Sequence, residues 1–267
     1  MERILSLSIG LIAILSILFC TQQVTGQEKE DSERTMVLKQ VKLLLKESDT
    51  FKAIEFVNSQ GEPQTVAKKY SDLVKDLYWK EHAISDVVTI ARAGIQYCLT
   101  KAQELANDDP EEAVQLKRMA RVISYNLASF TWPGWDEKDI VISQSDLSFG
   151  LDAAKLNLRL VNELNEEPIR FSIAYWVLGA QYMAARENDK ATDAFVSSME
   201  RAKEANDKAS ELLALGYIGV GKIVKGEKKA EGQKQLDEAI EGLNKLDTED
   251  SKFFIEQLKT ALKIFTK

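Results

Sequence analysis

A chain of 267 residues that is 45% hydrophobic, 8% aromatic and 29% charged is too apolar to stay disordered and long enough for one or two domains. Its formal net charge of -7, at a sequence pI near 5.1, argues against a nucleic-acid binder, which needs a surplus of Lys and Arg on one face. One histidine and two cysteines leave too few ligands for a metal site built from Cys and His.

The chain opens with Met1, Glu2 and Arg3, then an apolar run from Ile4 to Phe19 and a polar stretch, the layout of a secretory signal peptide. Val24 and Gly26 give the small-residue spacing of a cleavage site before Gln27, so residues 1–26 are expected to be removed. The run is short for a membrane span, which takes about 20 apolar residues. Retention of the segment as an anchor, or lipidation at Cys20, are the alternative fates; the bulky Phe19 beside Cys20 speaks against the second. Each fate implies export, to a periplasm or to the outside, with membrane attachment only through this segment. After cleavage Cys98 is the sole cysteine, so no intrachain disulfide can form. Its place among Val87, Ala91, Ile95 and Leu99 reads as a small core residue.

Residues 27–34 are charged and read as a disordered lead. Beyond them the helical period dominates: Val37, Leu38, Val41, Leu44 and Leu45 form one stripe, Val66, Tyr70, Leu73, Val74 and Leu77 a second, and Ile84, Val87, Val88, Ala91, Ile95 and Leu99 a third. Sustained alternation of the kind a half-buried strand needs is missing, so the fold class is all-α. Pro63, Pro110, Pro133 and Pro168 all fall between periodic segments. Asp109 before Pro110-Glu111-Glu112 reads as a capped helix start. Helices are expected at 35–47, 49–59, 64–79, 82–106, 110–131, 144–165, 169–186, 189–205, 208–225, 228–245 and 249–265. They make five hairpins and a terminal helix whose stripe of Phe254, Leu258, Ala261, Leu262 and Phe265 would cover the open end, with Lys252, Glu256, Lys259 and Lys263 facing away.

Within residues 171–204, Tyr175, Leu178, Gly179 and Tyr182 share one face of a helix, and Ala191 and Phe195 lie on the facing side of the next. This pattern resembles the tetratricopeptide repeat, with Tyr175 in the Trp slot and the terminal Pro missing. Weaker echoes extend it: Ala154, Leu158 and Val161 recur as Ala191, Phe195 and Ser198 and again as Gly232, Leu236 and Ala239, while Leu127 and Ala128 answer to Leu178 and Gly179. The resemblance covers 108–247, with 35–107 as divergent hairpins and 248–267 as a capping helix. It implies a right-handed superhelical solenoid with a concave groove lined by the first helix of each hairpin. It also implies a non-catalytic scaffold that binds a protein or peptide, with neither cofactor nor metal.

Candidate chemistry is sparse. Residues 216–222 have the glycine and lysine spacing of a phosphate-cradling loop, but Ile223 stands where a Ser or Thr is required and the surroundings read as helix, so the glycines are expected to pack helices. His82 lies at a helix start with no partner that would make it catalytic. Asp108-Asp109 and Glu166-Glu167 are explained as helix-start carboxylates. Two candidate partner-binding features remain. Tyr125, Trp176 and Tyr217 occupy equivalent repeat positions and would form an aromatic ladder along the groove, with Val122, Ile173 and Met183 beside them. On that reading Trp176→Ala leaves the fold intact and weakens partner binding. The loop 132–143 adds Trp132 and Trp135. It either packs over the repeat edge or, with nearby carboxylates, builds the site of an enzyme or small-ligand binder. A closed pocket with converging polar groups near these tryptophans would favour the second reading, an open groove the scaffold.

Overall fold

A computed structural model describes residues 31–47 and 49–266; the signal peptide, its cleavage site and Cys20 lie outside the described residues. All regular structure among the described residues is helical. The chain divides into two compact units, one ending at Val57 and one running Asn58–Lys267. The first holds α1 (31–46) and nearly all of α2 (Thr50–Asn58). Residues 31–34 are already helical and so are not part of a disordered lead. Asp49 accepts from the backbone N–H of Lys52 at 2.9 Å and so caps α2.

The second unit contains α3 (Pro63–Trp79), α4 (Ile84–Glu104), α5 (Pro110–Phe130), a 3-10 turn (Pro133–Trp135), α6 (Gln144–Glu163), α7 (Pro168–Ala184), α8 (Asn188–Glu204), α9 (Lys208–Lys225), α10 (Lys229–Leu246) and α11 (Glu249–Phe265). The starts follow from local chemistry. Prolines occupy the first position of α3, α5 and α7, where a missing N–H costs nothing. Asp109 accepts from the N–H of Glu112 at 2.9 Å. Ser143 and Asp146 exchange bonds as a capping box at α6, and Thr248 and Ser251 do so at α11.

Three successive turns end in the same way. Asn165, Arg186 and Asn206 take φ of 46°, 60° and 57°, and the next residue donates back into the helix: Glu166 to the Val161 carbonyl at 3.1 Å, Glu187 to Tyr182 at 2.9 Å, Asp207 to Ala202 at 3.0 Å. This closure satisfies the orphan carbonyls of the last turn and reverses the chain within two or three residues. Each helix of the unit packs on the next, and alternate ones also touch: α3 with α5, α5 with α7, α7 with α9, α9 with α11, and α4 with α6. Packing runs on across 107/108, where the resemblance begins, since α4 and α5 share one of the more extensive contacts.

Small residues set the closest approaches. A Cβ on Gly179 would stand 2.7 Å from the Phe195 ring, and one on Gly219 only 2.6 Å from the Gly232 carbonyl oxygen. The glycine-lysine stretch therefore lies inside α9, with Lys222 paired to Glu231 at 2.6 Å, and forms no phosphate loop. Gly216 meets Leu258 of α11 in the same way, but Gly221 has only ordinary contact with Thr192, 3.4 Å away. Two of the three glycines are thus packing glycines and the third is not.

Cys98 is wholly buried on α4, and burial pushes its thiol up to about 12. A thiol so far above its ordinary range holds almost no thiolate at pH 8. Cys98 is therefore expected to resist a thiol-specific disulfide reagent in the folded protein and to react completely, one equivalent per chain that begins at Gln27, once the protein is unfolded. Fast labelling of the native protein would contradict this placement.

Candidate functional site

Of the expected aromatic ladder, Trp176 and Tyr217 meet, with ring centroids 5.9 Å apart, and are covered, whereas Tyr125 is half-buried and is not in ring contact with either. Tyr217 is 0% exposed, Trp132 1%, Met183 1% and Trp176 7%. Trp132 lies edge-on to Trp135, Trp176 and Tyr217, with ring centroids 5.1, 5.9 and 6.0 Å away, and stacks against Phe265 of α11 at 6.0 Å. Tyr217 also stacks on Phe195 at 4.9 Å. Burial holds the Tyr217 phenol well above its ordinary value, with neighbouring Gln257 offsetting part of the shift. These rings are core, and Trp176→Ala must destabilise the unit, contrary to the open-groove expectation.

Two segments distant in sequence make the cover. The first is the 3-10 turn after α5. Trp135 donates its indole N–H to the Ser129 carbonyl at 2.8 Å, and Gly134 lets the Trp132 ring lie flat against the backbone, a place that a Cβ would invade. The second is α11. It packs on α9, α10 and the 3-10 turn, with Phe253 stacked on Trp135 at 6.1 Å and Lys263 paired with Asp136 at 2.8 Å. The terminal helix therefore covers more than an end. Its buried face is Ser251, Ile255, Gln257, Leu258 and Ala261; Phe254, Leu262 and Phe265 are half-buried, and Lys252, Glu256, Lys259 and Lys263 are exposed as expected.

Under this cover, beside Trp135, a chamber of about 250 Å3 remains. Its walls come from α5 (Tyr125), the 3-10 turn (Trp135), α7 (Ile169, Ser172, Ile173, Trp176), α8 (Ser198), the start of α9 (Asp207, Ser210, Leu213) and α11 (Phe253, Phe254, Gln257). Five of these thirteen side chains are aromatic and Asp207 is the one ionised group, so the interior is an aromatic box with a single negative edge. The wall is fixed by internal hydrogen bonds. Ser172 donates to the Ser198 carbonyl and Ser198 to the Ser172 carbonyl, both at 2.9 Å, which locks α7 to α8. Asp207 caps α9, accepting from the N–H of Ser210 at 3.0 Å and from its hydroxyl at 2.9 Å. Below, Gln181 of α7 donates to the Ala128 carbonyl at 2.5 Å, tying α7 to the end of α5.

Of the six residues singled out in the sequence, Tyr125, Trp135 and Trp176 meet at the chamber. Trp132 and Tyr217 form the layer behind them. Met183 lies elsewhere, on a groove shared with Arg186, Asn188, Lys229 and Phe265. The sequence reading missed Phe253, Gln257, Asp207 and Ser210. Phe253 alone carried a signal: it falls off the apolar stripe of α11 yet is a large aromatic, 54% exposed.

The other candidates for chemistry stay apart from this site. His82 is exposed on a left-handed turn residue, φ 51°, between α3 and α4. Glu167 makes no side-chain cap on α7. Glu166 instead reaches Arg118 at 3.3 Å and Arg121 at 3.7 Å on α5, so that acidic pair is an inter-helix tie and not a cap. The carboxylates of the tryptophan loop do not enter the chamber; Asp136 and Glu137 border a separate cavity with Tyr78, Trp132 and Trp135. Among the described residues there is no group of three or more His, Cys, Asp or Glu placed to hold a metal ion. None of these helices is long and apolar enough to cross a membrane. No family model matches the chain, and none of the curated proteins compared with it does.

Proposed function

We propose that this chain is an exported, non-catalytic binding protein, a right-handed tetratricopeptide-like solenoid that holds a small ligand in the aromatic chamber beneath α11. The observation that carries the reading is the chamber itself: a preformed cavity of about 250 Å3 beside Trp135, bordered by rings and a few fixed polar groups, the usual make-up of a small-molecule site. The repeated turn geometry at Asn165, Arg186 and Asn206 and the glycine contacts between paired helices support the repeat architecture. The non-catalytic reading rests on the chamber wall, where the one carboxylate, Asp207, is already engaged as the cap of α9. Export rests on residues 1–26, and intact-mass measurement of the released protein tests it: a mass beginning at Gln27 is expected.

A second reading keeps the protein or peptide partner. It is favoured by α11, an amphipathic helix lying where an exogenous helix would meet the ring layer. The two readings separate in one experiment. Ile173 lines the chamber from a half-exposed position, so Ile173→Trp fills the cavity without opening the ring layer. A thermal-shift screen of small molecules should give hits on the parent that vanish on Ile173→Trp. Hits retained on the filled variant, or none on the parent, would reject the chamber as the site.

A further inference from the structure

We propose that the chamber is selective for a methylated ammonium group, such as the headgroup of choline or a related quaternary ammonium compound. This deepens, and rests on, the reading of the chamber as a small-ligand site. The argument begins with charge. No Lys, Arg or His borders the chamber, and Asp207 at its edge has no cationic partner among the described residues. The neighbouring cations are committed elsewhere: Lys208 to Glu211 at 2.9 Å and Arg201 to Glu204 at 2.7 Å. The first turn of α9 contributes roughly half a positive charge against the full negative charge of its capping carboxylate, so the wall stays net negative. The chain as a whole carries -7, which favours approach of a cation over an anion.

Hydrogen bonding then selects the kind of cation. Ser172 and Ser198 satisfy each other's backbone, and Ser210 is spent on Asp207. The hydroxyl hydrogens of all three serines are therefore already donated, which leaves nothing to bind an anion or a carbonyl, and much of the wall is ring and aliphatic carbon. A quaternary ammonium, with no N–H to satisfy, suits such a wall. Its methyl shell is weakly hydrated and matches the faces of Trp135, Trp176, Tyr125 and Phe253, whose ring quadrupoles attract positive charge. Size agrees: about 250 Å3, at ~30 Å3 per water-sized atom, holds about eight non-hydrogen atoms. A neutral apolar ligand of the same shape would contact the rings equally well but leave the Asp207 charge uncompensated.

The test is calorimetric titration of the full chain with choline, and with 3,3-dimethylbutan-1-ol as its uncharged isostere, at matched ionic strength. Choline is expected to bind saturably and at least about tenfold more tightly than the isostere. Asp207→Asn keeps an oxygen to cap α9 and removes the charge; Phe253→Ala removes a half-exposed ring from the rim. Each should weaken choline about tenfold, with circular dichroism unchanged. Equal binding of choline and isostere, or choline binding untouched by both variants, overturns the ammonium assignment while the chamber stands as an apolar site. Failure of choline to bind the parent also overturns the assignment, and the Ile173→Trp screen then judges the chamber independently.

Discussion

Trp132→Ala is expected to cost the Asn58–Lys267 unit about 3 kcal/mol of stability, at the lower end of the range for truncating a buried Trp. The side chain is 1% exposed and touches four other rings, two of them from α7 and α9 and one from α11. Its indole N–H is buried without a hydrogen-bond partner, so truncation also relieves a standing cost of about 1–3 kcal/mol, which is why the upper end of the range is not reached. In a unit of this size the loss corresponds to roughly 6–12 °C in melting temperature. Because Trp132 joins the 3-10 turn to Phe265, the variant should also raise protease cleavage in α11 before global unfolding. A melting temperature within a degree or two of the parent would show that the ring cluster is not the centre of the core.

Gly219→Leu is expected to cost a comparable amount. Its Cβ would stand 2.6 Å from the Gly232 carbonyl oxygen and 2.8 Å from the Leu236 nitrogen. Both obstacles are backbone atoms of α10, which cannot swing aside as a flexible side chain would. The helices must separate, so the cost should meet or exceed the ~1–3 kcal/mol typical of overpacking. Gly221→Ala, one turn-face away with 3.4 Å to its nearest neighbour, should be nearly neutral in a helix interior or slightly stabilising through helix propensity. Chemical denaturation of the two variants decides the matter, and similar losses at both positions would refute the contact as described.

The helices were legible because their punctuation is local. Pro63, Pro110 and Pro168 mark starts that the structure keeps at the first helical residue, and Asp109 and the Gly179–Phe195 contact are readable from short spacing alone. What failed was long-range. The resemblance aligned Tyr125, Trp176 and Tyr217 in one register, but whether such positions face solvent depends on what covers them, and for Trp176 and Tyr217 the cover comes from Trp132 and from α11, far along the chain. The apolar stripe of α11 announces burial without naming its partner. Glu166 shows the same limit: beside Pro168 it reads as a helix-start carboxylate, yet Arg118 and Arg121 on α5 claim it. Asp207 went unread, and its place as the sole charge of an aromatic box could not be seen from spacing, since the rings around it come from α5, α7, α11 and the 3-10 turn.

The chamber is defined by a ring layer closed under α11, and hydroxyl-radical footprinting read by mass spectrometry reports each tryptophan separately. Trp79, 58% exposed, should oxidise fastest, and Trp135 at an intermediate rate, falling when the chamber is occupied. Trp132 and Trp176, at 1% and 7% exposure, should be protected throughout. Oxidation of Trp176 and Trp132 at the rate of Trp79 would mean that the rings line an open groove, and would contradict the covered ring layer.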